Sequence, residues 1–324
     1  MSENSLLLDT IRSVLAASAP LIFAGIGETL SERAGVINLS LDGSILLSAM
    51  AGFAVAYLSG SLTLGFGAAM LVGALVAWLI AYASIALRLD QVAVGFVLTL
   101  LCADLSSFVG QPFVRIPGPS VPHMPIPGLV DIPILGPILF DQDLVFYLSL
   151  LTVVGAWLWM NKTQAGLKLR AIGERPEAAF ARGINVNRLR YLYAIVGGAL
   201  VGFSGAAYSL SVKLGWSHRH TGGLGWIALA IVIFGGWSPF RVALGAYLFG
   251  LFKSLGSILQ PAWPQVPTQV LQAAPFAMMI VVLVLVSGDP DRLLYYVPRR
   301  VRPLLRGILR GAPPAGLGQR FEQG

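Results

Sequence analysis

Long apolar runs separated by short polar connections dominate the chain. Residues 43–87 contain no Asp, Glu, Lys or Arg, and 144–161, 191–212 and 254–288 are likewise free of charge. A helix needs about 20 apolar residues to cross the hydrocarbon core of a bilayer. The pattern predicts spans at 11–30, 36–57, 62–87, 92–112, 144–160, 191–212, 225–237, 242–258 and 268–287. A β-barrel would alternate polar and apolar residues over segments of about ten, which these runs do not. The expected fold is therefore all-α: a polytopic transmembrane helical bundle of 8–10 spans, with broken or re-entrant segments.

Two runs carry the breaks. "WIALAIVIFGGWSPFRVAL" is interrupted by Gly235-Gly236 and Pro239, and "GETLSERAGVINLSLDG" puts Glu28, Glu32, Arg33, Asn38 and Asp42 between two spans. Irregular backbone survives at membrane depth only where it lines a cavity or packs on protein. Short or Gly/Pro-broken segments in both halves of a transporter point to the solute path. Small residues mark where helices approach. Gly198-x-x-x-Gly202-x-x-x-Ala206 and Gly73-x-x-x-Ala77-x-x-x-Ala81 each give a smooth stripe, the surface that lets backbones come close in lipid.

Charge sets the orientation. Of 22 Lys and Arg, seven lie in 161–190 and seven in 292–320. Lys and Arg concentrate in cytoplasmic loops, which places both clusters inside. The loop 113–143, with seven Pro, three Asp and a single Arg, then faces outward and should be turn-rich. Residues 1–290 read as one membrane domain and 291–324 as a basic cytoplasmic tail. The basic clusters flank spans and lack interleaved aromatics, so the net charge of +7 does not signal nucleic acid. No cleavable signal is expected, since the apolar residues after Met1 have no basic region before them.

Candidate chemistry is sparse. None of the four lysines follows a glycine, so the Gly-Lys-Ser/Thr device that cradles phosphates is absent. Cys102 is the sole cysteine, and the histidines of "SHRHTGG" flank Arg219, so neither a disulfide nor a metal site is expected. Asp104, beside Ser106, falls mid-span, where an unpaired carboxylate costs at least about 2.5 kcal/mol and faces a bundle interior or a wet cavity. Asp104, Ser106, Asp42 and Asn38 are the candidate path residues, with Arg33 the local partner expected for Glu28 and Asp42.

The stretch "ERPEAAFARGINVNRLRY" at 174–191 is a charged island in apolar text. Pro176 suits a first helical turn, Glu177 the positive helix start, and Gly183 a C-terminal stop. A short helix at the cytoplasmic surface results, either a solvated connector or a plug for a cytosolic partner. Glu177-Ala178-Ala179-x-x-x-Gly183 resembles the coupling helix of ABC-importer permeases. "LIFAGIGETLSERAGVINLSLDGSILLSA" resembles the opening signature of the branched-chain amino acid/simple sugar permease family, in the form of its nucleoside and simple-sugar branch. "FGGWSPFRVALGAYLFG" is similar to that branch as well. Asp42 departs from the Glu usual there, and the distal part of the EAA consensus is missing.

That resemblance implies a bacterial inner-membrane permease subunit without catalytic residues or cofactors, its C-terminus cytoplasmic. It would pair with a homologous or identical permease in the lipid bilayer. Cytosolic ATPase subunits would seat against Pro176, Glu177, Ala178, Ala179 and Gly183, and an extracytoplasmic binding protein would deliver a nucleoside or simple sugar. Two alternatives stay open at the level of sequence. One is a self-sufficient secondary transporter with a proton site at Asp104 or Asp42. The other is an intramembrane enzyme using that Asp pair.

Overall fold

The computed structural model describes residues 3–262 and 312–321, with scattered positions between 265 and 281. The span expected at 268–287 and most of the basic tail lie outside the described residues. Ten α-helices are defined among the described residues: α1 (Glu3–Arg33), α2 (Leu41–Ser59), α3 (Leu62–Ile85), α4 (Gln91–Val109), α5 (Leu144–Lys162), α6 (Gln164–Glu174), α7 (Pro176–Ala181), α8 (Val186–Ala207), α9 (Leu224–Phe234) and α10 (Pro239–Ala262). A π-helical turn, Tyr208–Val212, extends α8. Six helices among the described residues are long and apolar enough to cross a membrane. The chain is a polytopic helical bundle.

Polar residues open several of these helices where the apolar runs begin. The side chains of Ser61, Asp90, Asp143 and Asn185 accept from the backbone amides of Leu64, Ala93, Phe146 and Arg188. Each satisfies one of the amides that a helix start leaves unpaired.

Helix α8 is the central post. Its Gly198 and Gly202 meet Gly73, Ala77 and Ala69 of α3 so closely that a methyl at Gly73 would strike the Gly198 carbonyl. The two small-residue stripes seen in sequence thus form one seam. One residue round, Gly197 faces Gly27 of α1 with equal intimacy, and Gly205 faces Ile45 and Ala49 of α2. Ser204 donates to the Pro20 carbonyl of α1 at 2.6 Å. Dispersion across close backbones, together with this polar tie, replaces the hydrophobic drive that lipid does not supply.

The loop 113–143 is turn-rich, with a 3-10 turn at Gln111–Phe113 and a π turn at Gly136–Phe140. It is pinned to the end of α8 by a bridge between Val114 and Trp216 and by the Val121 amide donating to the Leu210 carbonyl at 2.9 Å.

One expected span takes a different form. The 225–237 run is an 11-residue helix, Leu224–Phe234. At 1.5 Å per residue it is about 16 Å long, roughly half of a hydrocarbon core. Gly236 and Trp237 adopt positive φ and turn the chain into α10.

Candidate functional site

The non-helical stretch 34–40 between α1 and α2 is buried almost throughout. Leu39 packs against Gly95, and its carbonyl accepts from the Thr99 hydroxyl at 2.7 Å. Those residues lie one to two turns into α4, so Leu39 stands about 6–12 Å in from the start of that helix. Backbone groups at such depth need partners. The Ile37 amide donates to the Gln91 side chain at 2.8 Å, and the Asn38 amide to the Glu28 carboxylate at 3.1 Å. Asn38 in turn accepts from both the amide and the hydroxyl of Ser40. The Ser40 and Ser44 hydroxyls are 2.9 Å apart, which carries a polar line into α2.

The second interruption packs on the first. Asp42, in the first turn of α2, accepts from the Gly225 amide at the start of α9 at 3.0 Å. At the other end of α9, Trp237 is clasped by consecutive residues of α1. Its indole donates to Glu32, and its carbonyl accepts from Arg33 at 3.1 and 3.2 Å. Trp237 has φ of 54°, a region costly for a bulky residue, and these contacts hold it there. Arg33 therefore does not pair with Glu28 or Asp42 as expected, because the Trp237 carbonyl takes its guanidinium. Glu28 and Glu32 are one turn apart on α1, both buried, and Glu28 Oε2 has no hydrogen-bond partner. Sequence reading missed Gln91, Thr99 and Trp237 as partners of this region. The four-residue spacing of Glu28 and Glu32 was the available signal.

Asn38 and Asp42 thus belong to one buried polar region, whereas Asp104 and Ser106 do not join it. Ser106 is fully buried and spends its hydroxyl on the Ala103 carbonyl of its own helix. Of the two settings expected for Asp104, a bundle interior or a wet cavity, the structure does not give the first. Its side chain is 79% exposed on the outer face of α4, 3.8 Å from Arg219. Pairing with a cation from the loop ahead of α9 supplies there what the bundle interior does not.

That loop also walls a cavity of about 550 Å³ lined by Arg115, Lys213, Trp216, Ser217 and His220. The His220 ring lies between the Ser209 hydroxyl, at 3.1 Å from Nε2, and the Ser217 carbonyl, at 3.0 Å from Nδ1. Burial pushes its pKa down to about 4, against the raising influence of the Ser217 bond and with a smaller lowering from Lys213. His220 is neutral at physiological pH. Among the described residues no cluster of His, Cys, Asp or Glu could hold a metal ion.

Away from the bundle, α7 forms as its residues dictate, with Pro176 at its first turn and Gly183 beyond its end at φ of 79°. Pro176 and Ala179 are buried, and Ala179 packs with Leu169, Ile172 and Val186. Glu177, Ala178 and Gly183 are exposed on the opposite side, and a side chain at Gly183 would meet open space. The helix is rooted through one face and presents the other.

An all-α membrane bundle, broken twice at depth and carrying a small rooted surface helix, has the architecture of a transport permease. Residues 10–283 match the family described as branched-chain amino acid transport system/permease component, and the chain belongs to that family. It is 40% identical over 249 residues to a protein of Haloferax volcanii named as a candidate glucose ABC transporter permease, TsgC13, covering 76% of each chain. It is 36% identical to the nucleoside ABC transporter permease protein NupC of Lactococcus lactis, over 86% of this chain and 92% of that one. Identity to the guanosine ABC transporter permease protein NupQ of Bacillus subtilis is 33%, over 87% and 92%. No solved structure matches the chain.

Proposed function

We propose that this permease subunit moves a nucleoside or simple sugar inward, powered by separate ATPase chains that seat on α7. The observation that carries the reading is the split character of α7: Ala179 is packed into the fold while Glu177 and Ala178 stand free of it. A helix fixed on one face and unoccupied on the other is suited to pass movement from a docked partner into the bundle. The named substrates of NupC, NupQ and TsgC13 support the solute class. Asn38 and Asp42 are proposed to line the path, and Asp104 with Arg219 to face a second permease, homologous or identical, which would cover a charged pair that lipid disfavours. In this reading 1–290 is the membrane domain, 113–143 faces an extracytoplasmic binding protein, and 161–190 and the 291–324 tail are cytoplasmic.

The test uses the permease co-expressed with its candidate ATPase and binding protein. Ala178→Arg and Gly183→Val should insert at normal levels yet lose most ATPase co-purification and uptake. Gly183→Val forces a β-branched residue to positive φ, and Ala178→Arg puts a bulky charge on the exposed face. Normal binding and transport by both variants would remove the coupling role. Full uptake without any ATPase would instead make the chain a self-sufficient carrier.

A further inference from the structure

Residues 312–321 return from the C-terminal end of the chain to the base of the bundle, where three separate elements receive them. The first is the end of α6 with α7: the Gly316 amide donates to the Gly173 carbonyl at 2.7 Å, the Ala315 amide to the Glu174 carboxylate at 3.3 Å, and the Phe321 ring meets Phe180 of α7 edge-on at 5.7 Å. The second is the inner end of the α1–α2 break. There the Gly318 amide donates to the Gly35 carbonyl at 3.1 Å, and Leu317 packs against the α1–α2–α9 core. The third is α8, whose Arg190 donates to the Gln319 carbonyl at 3.0 Å and the Gly316 carbonyl at 3.4 Å. A Cβ on Gly35 would lie 3.0 Å from the Gly316 carbonyl and one on Gly316 2.9 Å from the Gly173 carbonyl. The seat is tight on both sides.

We infer that residues 314–321 form a latch that ties α7 to the inner end of the break and is released when α7 moves. The inference rests on the permease reading above and adds to it a device that holds one conformation. The seat exists only while α6–α7, the 34–40 stretch and Arg190 keep their present relative positions. A segment that binds one arrangement stabilises that arrangement by its differential affinity and no more. Phe321 makes the device sensitive to α7, because its ring rests on Phe180, and Arg190 holds the rest of the segment in its seat. Arg190 is buried, it donates to two latch carbonyls, and its Nε has no partner. A buried guanidinium stripped of its acceptors is costly, so Arg190 favours the seated latch, and a shift of α7 that carries Phe180 away from Phe321 favours release.

The experiment uses the full chain assembled with its ATPase in nanodiscs, with Cys102→Ser as background. Glu174→Cys with Ala315→Cys is treated with a short, reducible thiol crosslinker, with and without ATP and vanadate. The yield should fall at least about threefold in the trapped state, the change expected if most molecules release the latch. The crosslinked complex should keep its ATPase subunits but lose uptake, and regain it on reduction. Equal yields in both states together with full uptake by the crosslinked complex would make the segment a static brace and overturn the latch. A chain ending at Gly311 gives an independent readout. Solute-independent ATP hydrolysis should rise severalfold, and a hydrolysis rate and coupling ratio equal to the full chain would count against release as a control. Failure of the intact chain to retain any ATPase would instead be failure of the permease reading.

Discussion

The α3–α8 seam and the α1–α2 break lie in the same bundle and are held together by opposite means. In the seam, Gly73, Gly198 and Gly202 bring backbones into contact with almost no side chain between them. In the break, Glu28, Asn38, Gln91 and Thr99 bond irregular backbone with their side chains, and Asp42 ties the first turn of α9 to it. The seam has one good arrangement, because any separation forfeits many small dispersion terms at once. The break is built from bonds whose partners can be exchanged one at a time. A transporter needs a part that stays fixed and a part that rearranges, and the two regions are built in ways that suit one each.

The largest effect should come from violating the seam. Gly73→Leu drives a side chain into α8, and the folded permease recovered from membranes should drop at least about tenfold, given the 1–3 kcal/mol or more that overpacking costs. Gly67 lies on the same helix and faces open space, so Gly67→Leu should accumulate normally. Equal recovery of the two variants would break the contrast.

A smaller loss is expected in the break. Trp237→Phe removes the indole donor and leaves buried Glu32 without it, at a cost of about 1–3 kcal/mol. Insertion should persist while uptake falls severalfold, and a variant that fails to accumulate at all would show that the break is as unforgiving as the seam. Asp104→Asn keeps the shape of the side chain and removes the charge that faces Arg219. Membrane level should be unchanged while pairing with the second permease weakens and uptake falls modestly; normal pairing and normal uptake would assign Asp104 no part in that contact.

The smallest effect is a pH dependence. His220 is held neutral, with a folded pKa of about 4 against 6.5 ordinarily. The unfolded chain therefore binds a proton that the folded one refuses between these values, and stability falls as pH drops from about 6.5 toward 4. Melting of the purified protein at pH 7.5 and 5 should show a larger drop for the native chain than for His220→Gln. Identical drops would mean that the ring gains a proton without loss of its bonds to Ser209 and Ser217.

The seam was legible in sequence because four-residue spacing of Gly and Ala needs only one helix to be recognised, and both stripes proved to be partners. Most spans were legible for the same local reason. The 225–237 run was counted among the spans and its break at Gly235-Gly236 was legible; that its helix covers only about half of a hydrocarbon core was not, because hydropathy records apolarity and not length of helix. The clasp of Trp237 by Glu32 and Arg33 joins residues 204 and 205 positions apart, and no local pattern carries that. The interior setting expected as one alternative for Asp104 was not met for a related reason. The cost of a charge at depth says that it must be compensated, and the compensation came from Arg219 instead of the bundle interior.

The brevity of α9 has a consequence for how the chain is made. At 11 residues it falls well short of the roughly 20 that a translocon releases sideways as an independent segment. It cannot settle in the bilayer by its own partitioning. Its polar neighbours on either side are matched by groups on α1 and α2, both synthesised about 200 residues earlier, and not by lipid. Biogenesis of the second half must therefore wait on the first, with α9 entering as cargo against a surface already assembled. A nascent chain lacking α1 should leave that segment outside the bilayer, open to protease.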